Sequence, residues 1–249
     1  MNEVINKARF ELGIVIPTYN EKENIHTLLG SIEQALAAES FATMVLIVDD
    51  GSPDGTGDIV QKYIDDNTFG NLNLKLMRRE GKQGLASAYI QGFSLIKDDC
   101  IFVMSMDADM SHNPGYVPQM FSKAKSGYDC VVGSRYVNGG GIEGWGPQRL
   151  LISRLGSLYA QLLLFSPIKD QTGGFNLYRV SSLNNIDYKG IKVGGYMFQI
   201  EMKYLFRKNK MRIVEHPIVF VDRVLGKSKI NRKIVIEAFF RVPLLRLGL

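Results

Sequence analysis

A chain of 249 residues, 45% hydrophobic and 22% charged, is long enough for one large α/β domain with a substantial core, and this composition excludes a disordered or fibrous protein. The net charge of +5 is uneven: from Arg223 onward seven Lys/Arg face one acid, Glu237, so a near-neutral body carries a basic end suited to an anionic partner. The two cysteines, Cys100 and Cys130, lie in apolar runs with no disulfide or zinc spacing and are expected as reduced core thiols of a cytosolic protein.

The opening "MNEVINKARFELG" lacks the apolar stretch of a signal peptide. The runs "LGIVIP", "MVLIVDD", "LNLKLM", "CIFVMSMD" and "DCVVGSRY" are short, apolar and β-branched, and read as strands. Between them the spacing predicts helices over Glu23 to Leu36, Gly55 to Asp66, Gly84 to Ile96 and Pro114 to Lys125, the last opened by the Asn113-Pro114 cap. Strands alternating with helices of this length imply βαβ units and a mostly parallel sheet covered on both faces. "GGGIEG" fits a dinucleotide fingerprint but does not open a helix directly after a strand, and the first strand is followed by "PTYNE" instead, so it reads as a mobile loop. The longest uncharged stretch, Leu155 to Ile168, is shorter than the roughly 20 apolar residues of a spanning helix. From Ile230 the chain runs "INRKIVIEAFFRVPLLRLGL"; Lys233, Glu237 and Arg241 recur every four residues on a helix that Pro243 should end or kink. The expected domains are therefore 1–230, carrying the sheet, and 231–249, a basic amphipathic segment for a membrane interface, the alternative being a terminal helix packed on the core.

In open parallel sheets ligands sit beyond the carboxyl ends of the strands, and each early strand ends in polar residues: "PTYNE", "DDGSPDGT", "DADMSH" and "SRY". Asp107 and Asp109, at positions i and i+2, should face the same side. Two adjacent carboxylates repel unless a cation joins them, and hard oxygen donors suit Mg²⁺ or Mn²⁺ shared with substrate phosphates. Asp50 reads as a ligand-binding group, Asp54 as a cap for the next helix. His112 beside the acidic pair is a supporting residue, and His216 a packing residue. No nucleophile elbow or cysteine with a neighbouring base is present. Arg135, Arg149, Arg154, Arg223, Lys227 and Lys229 supply cations for phosphate oxygens. Nucleic acid is excluded as a partner, because the basic stretch lacks interleaved exposed aromatics and any recognised motif.

The blocks "VIPTYNEKENI", "VDDGSPDGT", "GLASAYIQGF", "MDADMSHNP", "VVGSRYVNGGG", "LISR", "DQTGGFNLYR", "GYMFQIEM" and "FVDRVLGKSKI", in order from Leu12 to Ile230, resemble the dolichyl-phosphate (polyprenyl-phosphate) mannose synthases. These are inverting glycosyltransferases of family 2 with the GT-A fold. The resemblance implies mannose transfer from GDP-mannose to a polyprenyl or dolichyl phosphate, with Mg²⁺ or Mn²⁺, at the cytoplasmic face of a membrane, bound peripherally or through a membrane-anchored partner. It implies that Pro17, Tyr19, Glu21, Val48 and Asp50 bind the nucleotide. Asp107 and Ala108 would lie near the ribose and sugar, and Asp109 would bind the metal with Ser111, which stands where many relatives have glutamine. Arg135, Arg149 and Ser153 would grip the acceptor phosphate, and Arg223 and Lys229 the donor diphosphate; Asp107, Arg135 and Arg149 form the implied catalytic set. Gly174 and Asn176 replace the more usual serine and arginine and receive no role. The rival readings are a polyprenyl-phosphate transferase using UDP-glucose or another sugar nucleotide, and a non-enzymatic membrane-docking protein on the same scaffold.

Overall fold

Alternation of side chains along β1 (Phe10–Thr18) and β2 (Thr43–Asp49) splits the core into two layers. Leu12, Ile14, Ile16, Val45 and Ile47 pack on one face with α1 (Ile25–Leu36) and α4 (Val117–Lys125). Val15, Met44, Leu46 and Val48 pack on the other with α3 (Leu85–Ile96). The computed structural model describes residues 9–222 and 232–247, with the side chains of 232–238 excepted. Helix α1 follows the helical period, burying Ile25, Leu28, Leu29 and Ile32. Helix α3 approaches β1 so closely that a Cβ on Gly92 would collide with Val15.

The seven-stranded sheet also contains β3 (Asn73–Arg78), β4 (Cys100–Ser105), β5 (Cys130–Ser134), β7 (Asn176–Arg179) and β8 (Ile213–Pro217). Its order is β3-β2-β1-β4-β7-β5-β8. β7 is antiparallel to β4 and β5 and every other pairing is parallel. Connections leave β1 in opposite directions toward β2 and β4, so the ends of these strands open the crevice expected of a doubly wound sheet. Because β7 runs backward, its start meets the end of β4, with Ser105 opposite Asn176. The turn before β7 thus reaches the same rim as the aspartates after β4.

Helices α2 (Thr56–Asp65), α6 (Val180–Leu183) and α7 (Gly195–Lys208) complete the layers. The expected helices appear within one or two residues, except that the fourth begins as a 3₁₀ turn at Pro114–Tyr116; there the Asn113 side chain accepts from Gly115 N at 2.8 Å. The glycine run is not a loose loop. Its second half is β6 (Gly141–Glu143), paired with β9 (Val219–Val221), and a Cβ on Gly140 would stand 2.6 Å from the Ser134 carbonyl. The glycines allow this close backbone approach, so β6 fixes the chain leading to α5 (Pro147–Leu163). Both cysteines are buried, and burial pushes their thiols up to about 12.

Helix α8 (Arg232–Leu247) contains Pro243, which neither ends it nor prevents another turn. It rests on α5 and α7: Val242 is buried, Tyr159 stacks on Phe239 at 5.1 Å, and the Tyr159 hydroxyl donates to the Phe239 carbonyl at 2.7 Å. Lys233 and Glu237 of the expected polar stripe lie outside the described side chains, and Arg241 is exposed. Among the described residues no helix is long and apolar enough to cross a membrane.

Candidate active site

Beyond the tips of β1, β2 and β4 lies a cavity of about 330 Å³, beside a smaller recess of about 50 Å³. Asp107, Asp109, Thr172, Gly174 and Tyr196 line both. The sequence reading placed the two aspartates on one side by strand alternation; they do meet there, but through a turn. β4 ends at Ser105, and Met110 takes φ +63°, a conformation that persists in a non-glycine residue only where its surroundings impose it. The turn lets Asp109 Oδ1 accept from Ser111 N at 3.1 Å and from the Ser111 hydroxyl at 2.5 Å. Asp107 Oδ1 accepts from the Tyr89 hydroxyl at 2.8 Å, and burial beside Asp107 pushes that phenol far up, keeping it a donor. His112 Nδ1 accepts from Asp107 N at 3.0 Å while the ring stacks on Phe175 at 4.9 Å. His112 therefore holds the acidic turn in place.

Pro17, Tyr19, Glu21, Asp50 and Ala108 line the large cavity. Asp50 is already engaged: its carboxylate accepts from Gln83 N and Gly84 N and pairs with the buried Arg79 at 2.9 Å. It fastens the 79–84 loop, which carries Lys82 over the Tyr19 ring at 4.2 Å. Val48 is a correction. It is fully buried in the layer facing α3, near Gly92, and lines neither cavity, so its side chain cannot touch a nucleotide. Asp54 stands one residue before Gly55, the N-cap of α2, and steadies the approach to the helix, its carboxylate accepting from Thr56 N at 3.0 Å and Lys22 N at 3.1 Å.

Arg135, Arg149, Trp145 and Phe220 line the recess. Arg135 is clamped by Asp170, with Nε–Oδ2 and Nη2–Oδ1 both at 2.7 Å. Burial opposes both charges, yet each partner outweighs that cost for the other: Asp170 is held below the usual carboxylate range and Arg135 stays protonated. Asp170 also accepts from Gly173 N at 2.9 Å. Lys203, buried and lowered to about 8 by desolvation, donates to the carbonyls of Gln171 and Gly173 at 3.0 and 2.8 Å. The glycine turn before β7 is thus anchored from beneath. Arg149 lies 4.0 Å above the Trp145 ring and pairs with Asp222 at 2.8 Å. Two buried donors here, Arg149 Nε and Trp145 Nε1, have no partner among the described residues. Ser153 does not line the recess; its hydroxyl accepts from Tyr136 at 2.7 Å. Arg154 faces the Tyr136 ring. Arg223, Lys227 and Lys229 lie outside the described residues. Sequence reasoning missed Arg79, Lys82, Trp145, Asp170 and Lys203; only the acid before the paired glycines gave a signal, since such turns recruit carboxylates for their N–H groups.

Among the described residues no trio of His, Cys, Asp or Glu converges as a metal cluster. Asp109 and Ser111, with Asp107 alongside, nonetheless fit a hard cation, because Mg²⁺ or Mn²⁺ takes one or two carboxylates and completes its shell from phosphates and water. The arrangement joins an acidic rim suited to a metal-bound anion with a recess of arginines suited to a second anion.

The family model for glycosyl transferase family 2 matches residues 13–187. The chain is similar to the polyprenol monophosphomannose synthase of Mycolicibacterium smegmatis, 36% identical over 92% of this chain and 84% of that protein. It is also similar to the undecaprenyl-phosphate mannosyltransferase of Micrococcus luteus, 39% identical over 92% of this chain and 90% of that protein. Among solved structures it superimposes on glucosyl-3-phosphoglycerate synthase from Mycobacterium tuberculosis, in complex with Mn²⁺, UDP-glucose and phosphoglyceric acid. The TM-score is 0.67 at 17% identity, over 98% of this chain and 82% of that one, a likeness of fold. With the α/β sheet, the acidic turn after β4 and these matches in hand, the chain belongs to glycosyl transferase family 2.

Proposed function

We propose that the protein transfers mannose from GDP-mannose to a polyprenyl phosphate, with inversion, as a peripheral enzyme on the cytoplasmic face of a membrane. The observation that carries this reading is the shared wall of the two cavities, with a carboxylate-lined space on one side and an arginine–tryptophan recess on the other. The names of the two curated relatives supply the sugar and the lipid.

In this reading Pro17, Tyr19, Glu21 and Asp50 seat the nucleotide, and Asp107 and Ala108 border the ribose and sugar. Asp109 and Ser111 would hold a divalent cation, which neutralises charge on the departing diphosphate when bound; the neighbouring fold's Mn²⁺ supports this. Arg223 and Lys229 are proposed to face the same diphosphate. Arg135, Arg149 and Ser153 are proposed for the acceptor phosphate, Ser153 through the Tyr136 hydroxyl. An oxygen of that phosphate attacks the anomeric carbon from the recess side as the bond to the diphosphate breaks on the other. Lipid phosphate is already ionised at neutral pH, so alignment suffices without a general base.

Lipid contact falls to α5 as well as α8. Leu151, Leu155, Leu158 and Leu162 form a stripe at helical spacing, each 47–64% exposed. Phe165, just after α5, and Phe239, Phe240 and Leu247 of α8, which packs on α5, are also exposed, by 56% or more. A monomer rarely leaves so large an apolar face uncovered, and the first turn of α5 carries Arg149 in the recess, which would bring a lipid phosphate to the site. The test is to supply purified full-length protein with labelled GDP-mannose or UDP-glucose, polyprenyl phosphate in liposomes, and Mg²⁺, Mn²⁺ or a chelator. Metal-dependent formation of mannosyl lipid is expected; transfer only from UDP-glucose, or undiminished under chelation, would overturn the donor or the metal.

A further inference from the structure

Gln199, the fifth residue of α7, lines the large cavity at 2% exposure. Its amide is oriented by its neighbours. Asn176 Nδ2 donates to the Gly173 carbonyl at 2.9 Å and to Gln199 Oε1 at 3.0 Å. The oxygen of Gln199 is therefore occupied, and Nε2 is left buried without a partner among the described residues. A buried N–H₂ group left unpaired is costly, and persists where a ligand completes it.

What Nε2 faces is a small open space above Gly174. A Cβ at Gly174 would meet Gln199 Nε2 at 3.5 Å, His112 Cε1 at 3.6 Å and Asp107 Oδ2 at 3.7 Å. A hydrogen-bond donor and an acceptor thus border one notch at the seam of the two cavities, where the transferred group must lie. A single group that both accepts and donates completes this arrangement, and a sugar hydroxyl is such a group. A phosphate oxygen is not, because it would stand against the Asp107 carboxylate.

We infer that Gly174, Gln199 and Asp107 form a notch that reads one hydroxyl of the transferred sugar, accepting its proton at Asp107 Oδ2 and donating to its oxygen from Gln199 Nε2. The inference rests on the sugar-transfer reading above and adds a specificity-determining residue, Gln199, to it. Turning that hydroxyl from axial to equatorial, or removing it, leaves the amide unpaired again, which is how a site built for a hydroxyl rejects the wrong sugar.

Gly174→Ala is the sharp test. Gly174 does not occupy the left-handed backbone region, and its added methyl would make ordinary van der Waals contacts, so the variant should fold with an unchanged Tm. The methyl nevertheless fills the notch. Transfer kinetics are measured for GDP-mannose and its 2-, 3-, 4- and 6-deoxy analogues, with GDP binding measured in parallel. In the wild type one analogue should lose about 10- to 100-fold in kcat/KM, the worth of a hydrogen bond to a group otherwise left unpaired. In Gly174→Ala, and in Gln199→Met, the penalty for that one analogue should collapse to near unity while GDP binding is unchanged. If the wild type transfers mannose but no penalty collapses, or if the variants raise only the KM for lipid phosphate, the notch is overturned and the proposed function stands. If the wild type transfers no mannose, the proposed function falls, and the notch falls with it.

Discussion

The donor half and the acceptor half of the cleft are held together by different physics. On the donor side, carboxylates at strand tips mostly accept backbone N–H groups: Asp50 takes Gln83 and Gly84 beside its pair with the buried Arg79, Asp49 takes Ser52, and Asp109 takes Ser111. On the acceptor side, ion pairs do the fastening, Arg135 with Asp170 and Arg149 with Asp222. Backbone hydrogen bonds to a carboxylate fix a loop while leaving its net charge negative, which suits a site for a cation. Guanidinium–carboxylate pairs leave donors at the back of the guanidinium for an incoming anion. The acceptor half therefore couples charge to stability through Arg135 and Asp170, as Arg79 and Asp50 do beneath the donor half, and variants can separate the two.

The largest effect is expected from Asp170→Asn. The pair is buried, with side-chain exposures of 4% and 0%, so the amide strands the Arg135 charge and loosens Gly173. Breaking such a pair costs about 3–5 kcal/mol, to be read by urea denaturation, with transfer lost in parallel. A cost under about 1 kcal/mol would show that water relieves the pair and that the acceptor half is not rigid.

Asp109→Asn should do the reverse on the donor side. Asparagine keeps the turn's shape and an oxygen for Ser111, so the Tm should barely move. Loss of the charge should lower transfer by about 10²- to 10³-fold, comparable to removing one preorganised electrostatic group. Full activity with unchanged metal dependence would remove Asp109 from the metal site.

Arg149→Ala sharpens the contrast within the acceptor half. Its pair with Asp222 is more exposed, at 21% and 28%, and such pairs contribute about 0–1 kcal/mol. Stability should therefore change little, while the KM for lipid phosphate rises roughly 10-fold and that for the sugar nucleotide holds. The opposite split would move Arg149 to the donor half.

The sequence disclosed the two halves unequally for the same reason. Donor-side groups sit directly after apolar runs, so local pattern alone placed Tyr19, Asp50, Asp107 and Asp109 at one rim. Acceptor-side partners are far apart in the chain: Asp170 lies 35 residues from Arg135, and Asp222 lies 73 from Arg149. Only the reversed strand β7 and the β6–β9 pair bring them together. Strand reversal carries no sign in a short apolar run, and the three-residue strand in "GGGIEG" is stabilised by a partner nearly 80 residues away. Val48 was misjudged because both faces of a buried parallel strand are apolar, so the sequence does not mark which face meets the ligand.

The smallest expected effect concerns His216, on the edge strand β8 of the acceptor half. Its Nε2 shares a hydrogen bond with Gln119 Oε1 at 3.0 Å, and the ring meets Tyr116 edge-on. Burial, and then the nearby Lys123 ammonium, hold its pKa below the ordinary 6.5. Because the folded value is the lower one, the unfolded chain takes up this proton first on acidification. The contribution of His216 is complete above pH 6.5 and is lost as pH falls from there toward the folded value. Stability should therefore decline on mild acidification partly through β8, and His216→Gln, which keeps a polar partner for Gln119 but cannot titrate, should flatten that slope between pH 7 and 5. Hydrogen exchange at the two pH values should show the loss in β5 and β8 before β1 and β2. An unchanged slope in the variant, or acid loosening that begins in β1 and β2, would show that the acceptor half is not the acid-sensitive one.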